Sequence, residues 1–280
     1  MKIGFNLLLW TTQVTTQHLP VIAALKAAGY DGVEVPVVQG DPADYAKLGA
    51  VLADLGLGVT AVGGVPDEGR NPMSLDRAHR AAGVDHLKWL VDCAQSLGAD
   101  VLAGPFTQPL GVFSGQGPTP AELAALVASH QAMADYAPDL TLAVEPLNRF
   151  ECYALNTAAQ AARLVEAVGR ANYGYLYDTF HANIEERDPA GVIRPTAGAI
   201  RHVHISENDR GTPGRGHADI TGALKNLRAV GYDGWITVEA FGQALPDLAQ
   251  ATRIWRPLFA SESEVYQEAI TLIRRGWASN

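Results

Sequence analysis

The chain has 280 residues, 48% of them hydrophobic and 18% charged, so it is long enough to bury a full core. Its formal net charge of -9 disfavours a nucleic-acid partner, because binding to a phosphate backbone needs positive charge, and a small neutral or metal-held substrate fits better. No stretch reaches the ~20 apolar residues that a spanning helix needs, which argues against a membrane role.

The two cysteines indicate a reducing compartment. Cys93 lies in a segment of helical spacing and Cys152 in a loop, and their spacing fits neither a disulfide framework nor a zinc knuckle. We therefore expect two free thiols and a cytoplasmic protein. The amino-terminal segment MKIGFNLLLW has a short apolar run without a small-residue cleavage site, which favours a first strand over a signal peptide.

Apolar runs of strand length alternate with segments of helical spacing along the whole chain. The first strand is predicted over Ile3 to Leu9, and the first helix over Gln17 to Ala28, ending at Gly29. Glycines precede later strands in the same way, and glycine suits the left-handed conformation that ends helices. These further glycines are Gly56, Gly98, Gly169 and Gly231. Eight strands are predicted, with centres near Ile3, Val33, Val59, Val101, Leu142, Tyr175, Val203 and Ile236.

Strands this apolar must be covered on both faces, which favours parallel pairing with helical crossovers. Eight such units closing on themselves predict an α/β fold, a single (β/α)8 TIM barrel over residues 1–280, with its active site at the carboxyl ends of the strands. A doubly wound sheet is the alternative, but the segment WTTQ at residues 10–13 is not a Gly-rich phosphate turn. The stretches Gly63 to Ser74 and Pro105 to Pro120 are predicted rim loops, and Ser261 to Trp277 is a predicted closing helix.

Four predicted strands end in a residue type that binds metal ions. In chain order these residues are Glu145, Asp178, His204 and Glu239. Because the carboxyl ends of barrel strands meet at one rim, three carboxylates and one imidazole there form a ligand set for one divalent cation. The alternatives are that Glu145 or Glu239 caps a helix or pairs with an arginine such as Arg149, and that Asp178 is simply the N-cap of the next helix.

Other residues near these strand ends are candidates for substrate contact. Glu151 lies in the loop after the fifth strand, His181 in the segment after the sixth, and Arg210 in the loop after the seventh, where its default role is that of a solvated cation. His202 faces the same side of its strand as His204 and is more typical of a packed or supporting histidine. Three phenylalanines are ordinary apolar residues when considered singly, although the last follows Glu239 closely and is expected to wall the same pocket. They are Phe106, Phe113 and Phe241.

Two carboxylates that share a cation across a barrel mouth suit one type of reaction. A sugar with a carbonyl beside a hydroxyl can chelate the cation through both oxygens, which polarises the carbonyl and acidifies the intervening C–H. If one carboxylate lies over each face of that carbon, one removes the proton and the other returns it on the opposite side. The product is the epimer, and the reaction requires no nucleotide cofactor.

Four segments resemble the ketose 3-epimerases, the group of D-tagatose 3-epimerase, D-allulose (psicose) 3-epimerase and L-ribulose 3-epimerase among the xylose-isomerase-like TIM barrels. The segments are VEPLNRFE, DTFHANIEE, HVHISENDR and VEAFG. The resemblance implies an isomerase that epimerises free ketoses at C3 through a cis-enediolate, such as D-fructose and D-allulose, D-tagatose and D-sorbose, or L-ribulose and L-xylulose. It also implies a homodimer or homotetramer.

The resemblance further implies a role for each candidate residue. One Mn2+, Co2+ or Mg2+ ion per subunit would be held by the four strand-end ligands, and two of them, Glu145 and Glu239, would be the acid and base. Three residues would hold the hydroxyls around C1 to C3. These three are Glu151, His181 and Arg210. Separately from the resemblance, Phe106 and Phe241 are expected to be additional substrate contacts. Unphosphorylated sugars are expected, because only Arg215 remains free near the late strand ends to attract a second anion.

The chain departs from the resemblance at the distal end of the sugar site. Where such enzymes tend to carry a tryptophan after the fourth strand, this chain has AGPFTQPLGVF, and the third strand ends in Val62-Gly63-Gly64, so the preferred ketose is left open. An aldose–ketose isomerase such as hydroxypyruvate isomerase is the alternative reaction, and a non-catalytic sugar-binding protein is the alternative class. Apurinic endonucleases are disfavoured, because the second and third strands end without a histidine and the chain is acidic.

Overall fold

The computed structural model describes residues 1–278 and forms one closed barrel of eight parallel strands in chain order. The strands are β1 (Lys2–Asn6), β2 (Gly32–Pro36), β3 (Gly58–Val62), β4 (Val101–Gly104), β5 (Thr141–Val144), β6 (Tyr173–Asp178), β7 (Ile200–Ile205) and β8 (Trp235–Val238). The barrel closes where β1 pairs with β8, with Phe5 opposite Val238. The predicted (β/α)8 TIM barrel is confirmed, and every predicted strand centre lies within a strand.

Helices surround the barrel. They are α1 (Leu19–Ala28), α2 (Pro42–Asp54), α3 (Arg77–Leu97), α4 (Pro120–Tyr136), α5 (Ala158–Val168), α6 (Thr179–Glu185), α7 (Ile193–Thr196), α8 (Ile220–Ala229), α9 (Pro246–Ala251) and α10 (Glu262–Ala278). Short 3-10 turns span Leu7–Leu9, Thr16–His18, Glu68–Arg70 and Ala197–Ala199. The first strand is therefore shorter than predicted, because the chain turns at Leu7. The first helix begins at Leu19 rather than Gln17, with Pro20 in its first turn, where a missing N–H costs little.

The predicted glycines do end helices or the turns after them. The φ angles are +100° at Gly29, +65° at Gly56, +76° at Gly98, +62° at Gly169 and +74° at Gly231. Each of these values lies in the left-handed region that side chains with a Cβ adopt at a cost. Each glycine therefore stops its helical segment and turns the chain towards the next strand.

The hydrophobic core fills the space between barrel and helices. Leu87 and Leu90 of α3 are fully buried there, as is Ile273 of α10. Cys93 and Cys152 are free thiols, as predicted, and both are buried. Within residues 1–278 no helix combines the length and the apolar character that crossing a bilayer would take.

One irregularity in the barrel decides which residues of β6 and β7 are neighbours. Tyr175 lies opposite Ile200, but the next residue, Leu176, lies opposite His202, so the register shifts by one residue between them. As a result Asp178 is paired with His204. A bulge of this kind inserts an extra residue in one strand and is common beside active sites.

We predict that Gly98→Ala lowers the free energy of unfolding by about 1 kcal/mol, because alanine would be held in the left-handed conformation. Nothing lies within 4 Å of a Cβ built at Gly98, so the cost would come from the backbone and not from a clash. Urea unfolding followed by circular dichroism measures it.

Gly117→Ala is the matched control. A Cβ at Gly117 also meets nothing within 4 Å, and its φ is outside the positive region. This variant should unfold at the wild-type urea concentration or slightly above it. Equal destabilisation of both variants would contradict the explanation.

Candidate active site and metal centre

The four predicted ligands meet at the carboxyl end of the barrel. Glu145 follows β5, Asp178 ends β6, His204 lies in β7 and Glu239 follows β8. One ligand atom from each lies within 4.8 Å of the others, and all four residues are buried. Three carboxylates and an imidazole this close together could hold one divalent cation.

The imidazole of His204 supports that fit. Its Nε2 lies 2.7 Å from Oε1 of Glu34, so this nitrogen has a hydrogen-bond partner. Its Nδ1 is buried and has no hydrogen-bond partner among the described residues, and it lies 3.4 Å from Oε1 of Glu239. A buried nitrogen without a partner, facing carboxylate oxygens, is what a bound cation would satisfy.

Asp178 has two functions in the structure. Its Oδ1 accepts a 2.7 Å hydrogen bond from the N–H of Phe180, so it is the N-cap of α6, as one interpretation of the sequence held. Its Oδ2 faces the site, 3.1 Å from Nη1 of Arg210. Helix capping and metal binding by Asp178 would be compatible, because each would use a different oxygen.

Arg210 is a buried member of the site and not a solvated cation. Its Nη1 donates to Oε2 of Glu239 at 2.7 Å as well as to Asp178. The guanidinium lies over the rings of Phe180 and Phe241, with centroid distances of 3.7 Å and 5.0 Å. The charged head is thus clamped between two aromatic faces and two carboxylates.

The alternative pairing with Arg149 is wrong. The Nη1 of Arg149 lies 3.0 Å from Oε2 of Glu185 at the rim, and its backbone N–H donates to the other oxygen of the same carboxylate. Two hydrogen bonds to Glu185 therefore hold Arg149 in place, while Arg210 pairs with Glu239.

The loop that carries Arg210 is organised by a buried carboxylate, Glu207. Its Oε1 accepts the N–H groups of Asn208 and Ala218, both at 2.9 Å, and its Oε2 accepts the N–H of Gly214 at 2.8 Å. The backbone carbonyl of Glu207 also accepts the N–H of Arg210. These bonds fix the loop from Glu207 to Asp219 and hold Arg210 at a φ of +67°.

His181 and Glu151 are linked through a residue that the sequence analysis did not single out, Asn148. The backbone N–H of Asn148 donates to Nδ1 of His181 at 3.0 Å, and its side-chain amide donates to Glu151 at 2.8 Å. Since Nδ1 accepts, the neutral ring carries its proton on Nε2. That nitrogen faces the site, 3.6 Å from Glu145 and 3.7 Å from Asp178.

The three phenylalanines have different environments. Phe106 is fully buried in the main hydrophobic core, and its carbonyl accepts a hydrogen bond from His130. Phe241 is buried with Ala249 and packs on Arg210. Phe113 is 49% exposed. Substrate contact by Phe106 and Phe241 stays a prediction.

The chain is similar to known proteins over nearly its whole length. The family model described as xylose isomerase-like TIM barrel matches residues 22–275. The ketose 3-epimerase of Arthrobacter globiformis is 35% identical over 279 residues, which cover 98% of this chain and 96% of that protein. The chain belongs to the ketose 3-epimerase family.

Other members agree with this assignment. The L-ribulose 3-epimerase of Mesorhizobium japonicum is 34% identical over 98% of this chain and 94% of that protein. The crystal structure of D-allulose 3-epimerase from Methylomonas sp. in complex with D-allulose matches with a TM-score of 0.91 and 29% identity, covering 98% of this chain and 96% of that one. The family resemblance of the four motifs is confirmed, and the chain is an isomerase of the carbohydrate-epimerase class.

The pKa values of Glu145 and Glu239 in this epimerase are shifted in opposite directions. Burial raises the pKa of Glu145 well above its usual range, and the neighbouring Glu239 raises it further. Burial also raises the pKa of Glu239, but His204 and Arg210 outweigh it and the net pKa is lowered. Burial raises the pKa of Asp178 to about 6 despite the nearby Arg210.

The pKa values of His204 and of its carboxylate partner Glu34 shift in opposite directions. Burial lowers the pKa of His204, yet Glu34 and Glu239 outweigh it and the net pKa is well above the usual range. Burial raises the pKa of Glu34, but His204 and His202 outweigh it and leave the net pKa far below normal. Without a cation, the raised pKa values of Glu145 and His204 favour their protonated forms, and the lowered pKa of Glu34 favours its carboxylate.

We predict that divalent cations bind with release of protons and more tightly as the pH rises. The ligands with raised pKa values, Glu145, Asp178 and His204, must lose their protons before they can coordinate, whereas Glu239 is already ionised. For Asp178 the change falls around pH 6. Calorimetric titration of chelator-treated protein with Mn2+, in two buffers of different ionisation enthalpy, measures both effects. An affinity that stays constant from pH 5 to pH 8 would contradict the assignment of ligands.

Proposed function

We propose that the protein interconverts free ketoses at C3, with Glu145 and Glu239 as the proton-transfer pair and one divalent cation held by Glu145, Asp178, His204 and Glu239. The convergence of these four buried residues within 4.8 Å carries the proposal. Family membership supports it, because the relatives are named as ketose and L-ribulose 3-epimerases. A bound divalent cation would polarise the C2 carbonyl and acidify the C3–H.

The positions of the two glutamates support opposite roles. Glu145 follows β5 and Glu239 follows β8, so they flank the two middle ligands on β6 and β7. Their pKa values are displaced in opposite directions, which is typical of an acid and base pair. One carboxylate would remove the C3 proton to give an enediolate, and the other would return a proton to the opposite face of the same carbon.

Hydrogen-bond donors beside the glutamates suit the oxygens of a sugar. The Nη2 of Arg210 lies 3.1 Å from Nε2 of His181. Because Nδ1 of His181 accepts from the backbone, both of these nitrogens carry hydrogen and neither can accept from the other. A carbonyl or hydroxyl oxygen at hydrogen-bond distance from both nitrogens would satisfy both donors. Glu151 reaches the same region through Asn148 and would accept from a hydroxyl.

The expectation about Arg215 needs correction. It is not free, because its Nε and Nη2 donate to both oxygens of Glu268 and its Nη1 lies 2.9 Å from Glu264. A residue already paired with two carboxylates is a poor site for a phosphate group. This pairing supports the proposal that the substrates are unphosphorylated.

A panel of sugars tests the proposed function. Chelator-treated protein should be inactive, and after addition of Mn2+ or Co2+ it should convert free ketoses into their C3 epimers, with much lower kcat/KM for ketose phosphates. Products are separated by chromatography and the metal content is measured by elemental analysis. Aldose products would favour an aldose–ketose isomerase. Stoichiometric sugar binding without turnover would favour a binding protein, and full activity without metal would overturn the cation's role.

Isotope exchange can distinguish the proton-transfer roles of Glu145 and Glu239. Glu145→Gln and Glu239→Gln should each lower kcat for epimerisation by roughly 10²- to 10⁴-fold, because one of the two proton transfers is lost. The remaining carboxylate can still remove a proton from the one epimer that presents it. Each variant should therefore incorporate solvent deuterium into only one epimer of the pair, and the two variants should label opposite epimers.

Glu268→Gln is the control for this experiment. Glu268 lies on α10 at the surface, paired with Arg215, so its variant should retain normal turnover. Mn2+ is kept saturating and its occupancy is verified for every variant. Labelling of the same epimer by both site variants would refute the two-base mechanism in favour of a single base.

A further inference from the structure

A fourth carboxylate, Glu34, lies deeper in the barrel than the proposed ligands. It lies in β2 and is fully buried. The strand register places Asn6 beside it on β1 and Thr60 beside it on β3. Across the barrel it meets the two histidines of β7, His202 and His204. Glu34 is therefore bonded to residues of three other strands.

Both oxygens of Glu34 are fully engaged. Oε1 accepts from Nδ2 of Asn6 at 3.1 Å and lies 2.7 Å from Nε2 of His204. Oε2 accepts from the hydroxyl of Thr60 at 3.0 Å and lies 2.7 Å from Nε2 of His202. A carboxylate has about four lone-pair positions, and four partners occupy them here.

This arrangement decides which nitrogen of His204 carries a proton. An ionised carboxylate can only accept hydrogen bonds, so each imidazole must donate to Glu34 from Nε2. The Nδ1 of His204 is then the nitrogen that can offer a lone pair to a cation. It is also the nitrogen that faces Glu239, at 3.4 Å.

The same hydrogen-bond network also includes Glu239, a second proposed metal ligand. Nδ2 of Asn6 donates to Oε1 of Glu239 at 2.9 Å as well as to Glu34. The orientation of this amide is fixed, because its oxygen accepts the N–H of Leu8 at 2.9 Å. The amide of Asn6 therefore bridges Glu34 and Glu239.

Glu34, His202 and His204 are also close enough together to resemble a second cation site. The distances favour hydrogen bonds instead. A cation that held nitrogen and oxygen at about 2.1 Å each in a right-angled geometry would separate them by about 3 Å. The observed N···O distances are 2.7 Å, and the remaining positions of the carboxylate are occupied by Asn6 and Thr60.

We propose that Glu34 is a positioning residue for the cation centre. It holds the ring of His204 with the proton on Nε2 so that Nδ1 is presented to the cation, and through Asn6 it orients Glu239. Glu34 itself touches neither the cation nor the sugar. This inference rests on the cation site of the proposed function.

The variant Glu34→Gln tests it, with His202→Gln as the matched control. Glutamine keeps the size of Glu34 but replaces one acceptor oxygen by a donor, which cannot accept from an imidazole. His202→Gln alters the same buried network and keeps a donor at the position of Nε2, without touching the bond between Glu34 and His204. Affinity for Mn2+ is measured by calorimetry on chelator-treated protein, and folding by the thermal midpoint. Glu34→Gln should weaken Mn2+ binding 10- to 100-fold, and His202→Gln should bind nearly as tightly as wild type.

Nuclear magnetic resonance of the wild-type protein gives a second measurement that needs no Glu34 variant. With histidine labelled with nitrogen-15 and saturating Mg2+, Nε2 of His204 should show a directly bonded proton. A His204→Asn variant identifies the signal by its loss. This measurement decides the proposal if Glu34→Gln does not fold.

The outcomes separate the two proposals. If the wild-type protein binds no divalent cation, both the cation site and the role of Glu34 are wrong. If wild type binds Mn2+ and Glu34→Gln binds equally well, only the role of Glu34 is wrong. Equal weakening in Glu34→Gln and His202→Gln, or a His204 ring without a proton on Nε2, would also overturn it.

Discussion

Four buried carboxylates lie close together at one end of this barrel, and their mutual repulsion explains why other polar side chains surround them. An ionised carboxylate that is buried without a partner costs several kcal/mol, so each one needs its own compensation. Glu34 accepts hydrogen bonds from two imidazoles, an amide and a hydroxyl. Glu239 accepts from Arg210 and Asn6. Asp178 accepts from the first turn of α6 and from Arg210. Glu145 is compensated differently, because burial and the neighbouring Glu239 raise its pKa and so favour its neutral form. A divalent cation could serve three of these carboxylates at once.

The fold could be predicted almost completely, because the physics that sets it is local. Apolar runs mark strands that are covered on both faces, and glycines such as Gly98 and Gly169 mark helix ends by their left-handed backbone. The shift between β6 and β7 could not be predicted in this way. Register depends on contacts between strands, and the sequence near Tyr175 contains no signal for an extra residue on the neighbouring strand, β7. Without that shift Asp178 would lie opposite Val203, whose side chain points to the other face from His204.

The sequence predicts the location of a site residue when that residue lies at the end of a strand. It does not predict which residue a long side chain contacts in the folded protein. The four ligand candidates converge as expected, since the carboxyl ends of barrel strands meet at one rim. Their roles as ligands and bases remain predictions. Arg149 and Arg215 were assigned the wrong surroundings, because sequence proximity says little about which carboxylate a long side chain meets. Glu34 was not singled out from the sequence, although a single acid inside the buried run GVEVP is the signal that could have found it.

The carboxylate of Glu207 limits the mobility of the loop that carries Arg210. Rim loops of barrels are often mobile and close when a ligand arrives, so that each binding event bears the entropy of ordering them. Here three backbone N–H groups bind one buried side chain, and the segment that carries Arg210 is ordered when the chain folds. The guanidinium is therefore already in place before a sugar enters. Amide hydrogens of Gly214 and Ala218 are expected to exchange with solvent only as fast as the loop unfolds locally, which makes this part of the mouth a fixed wall.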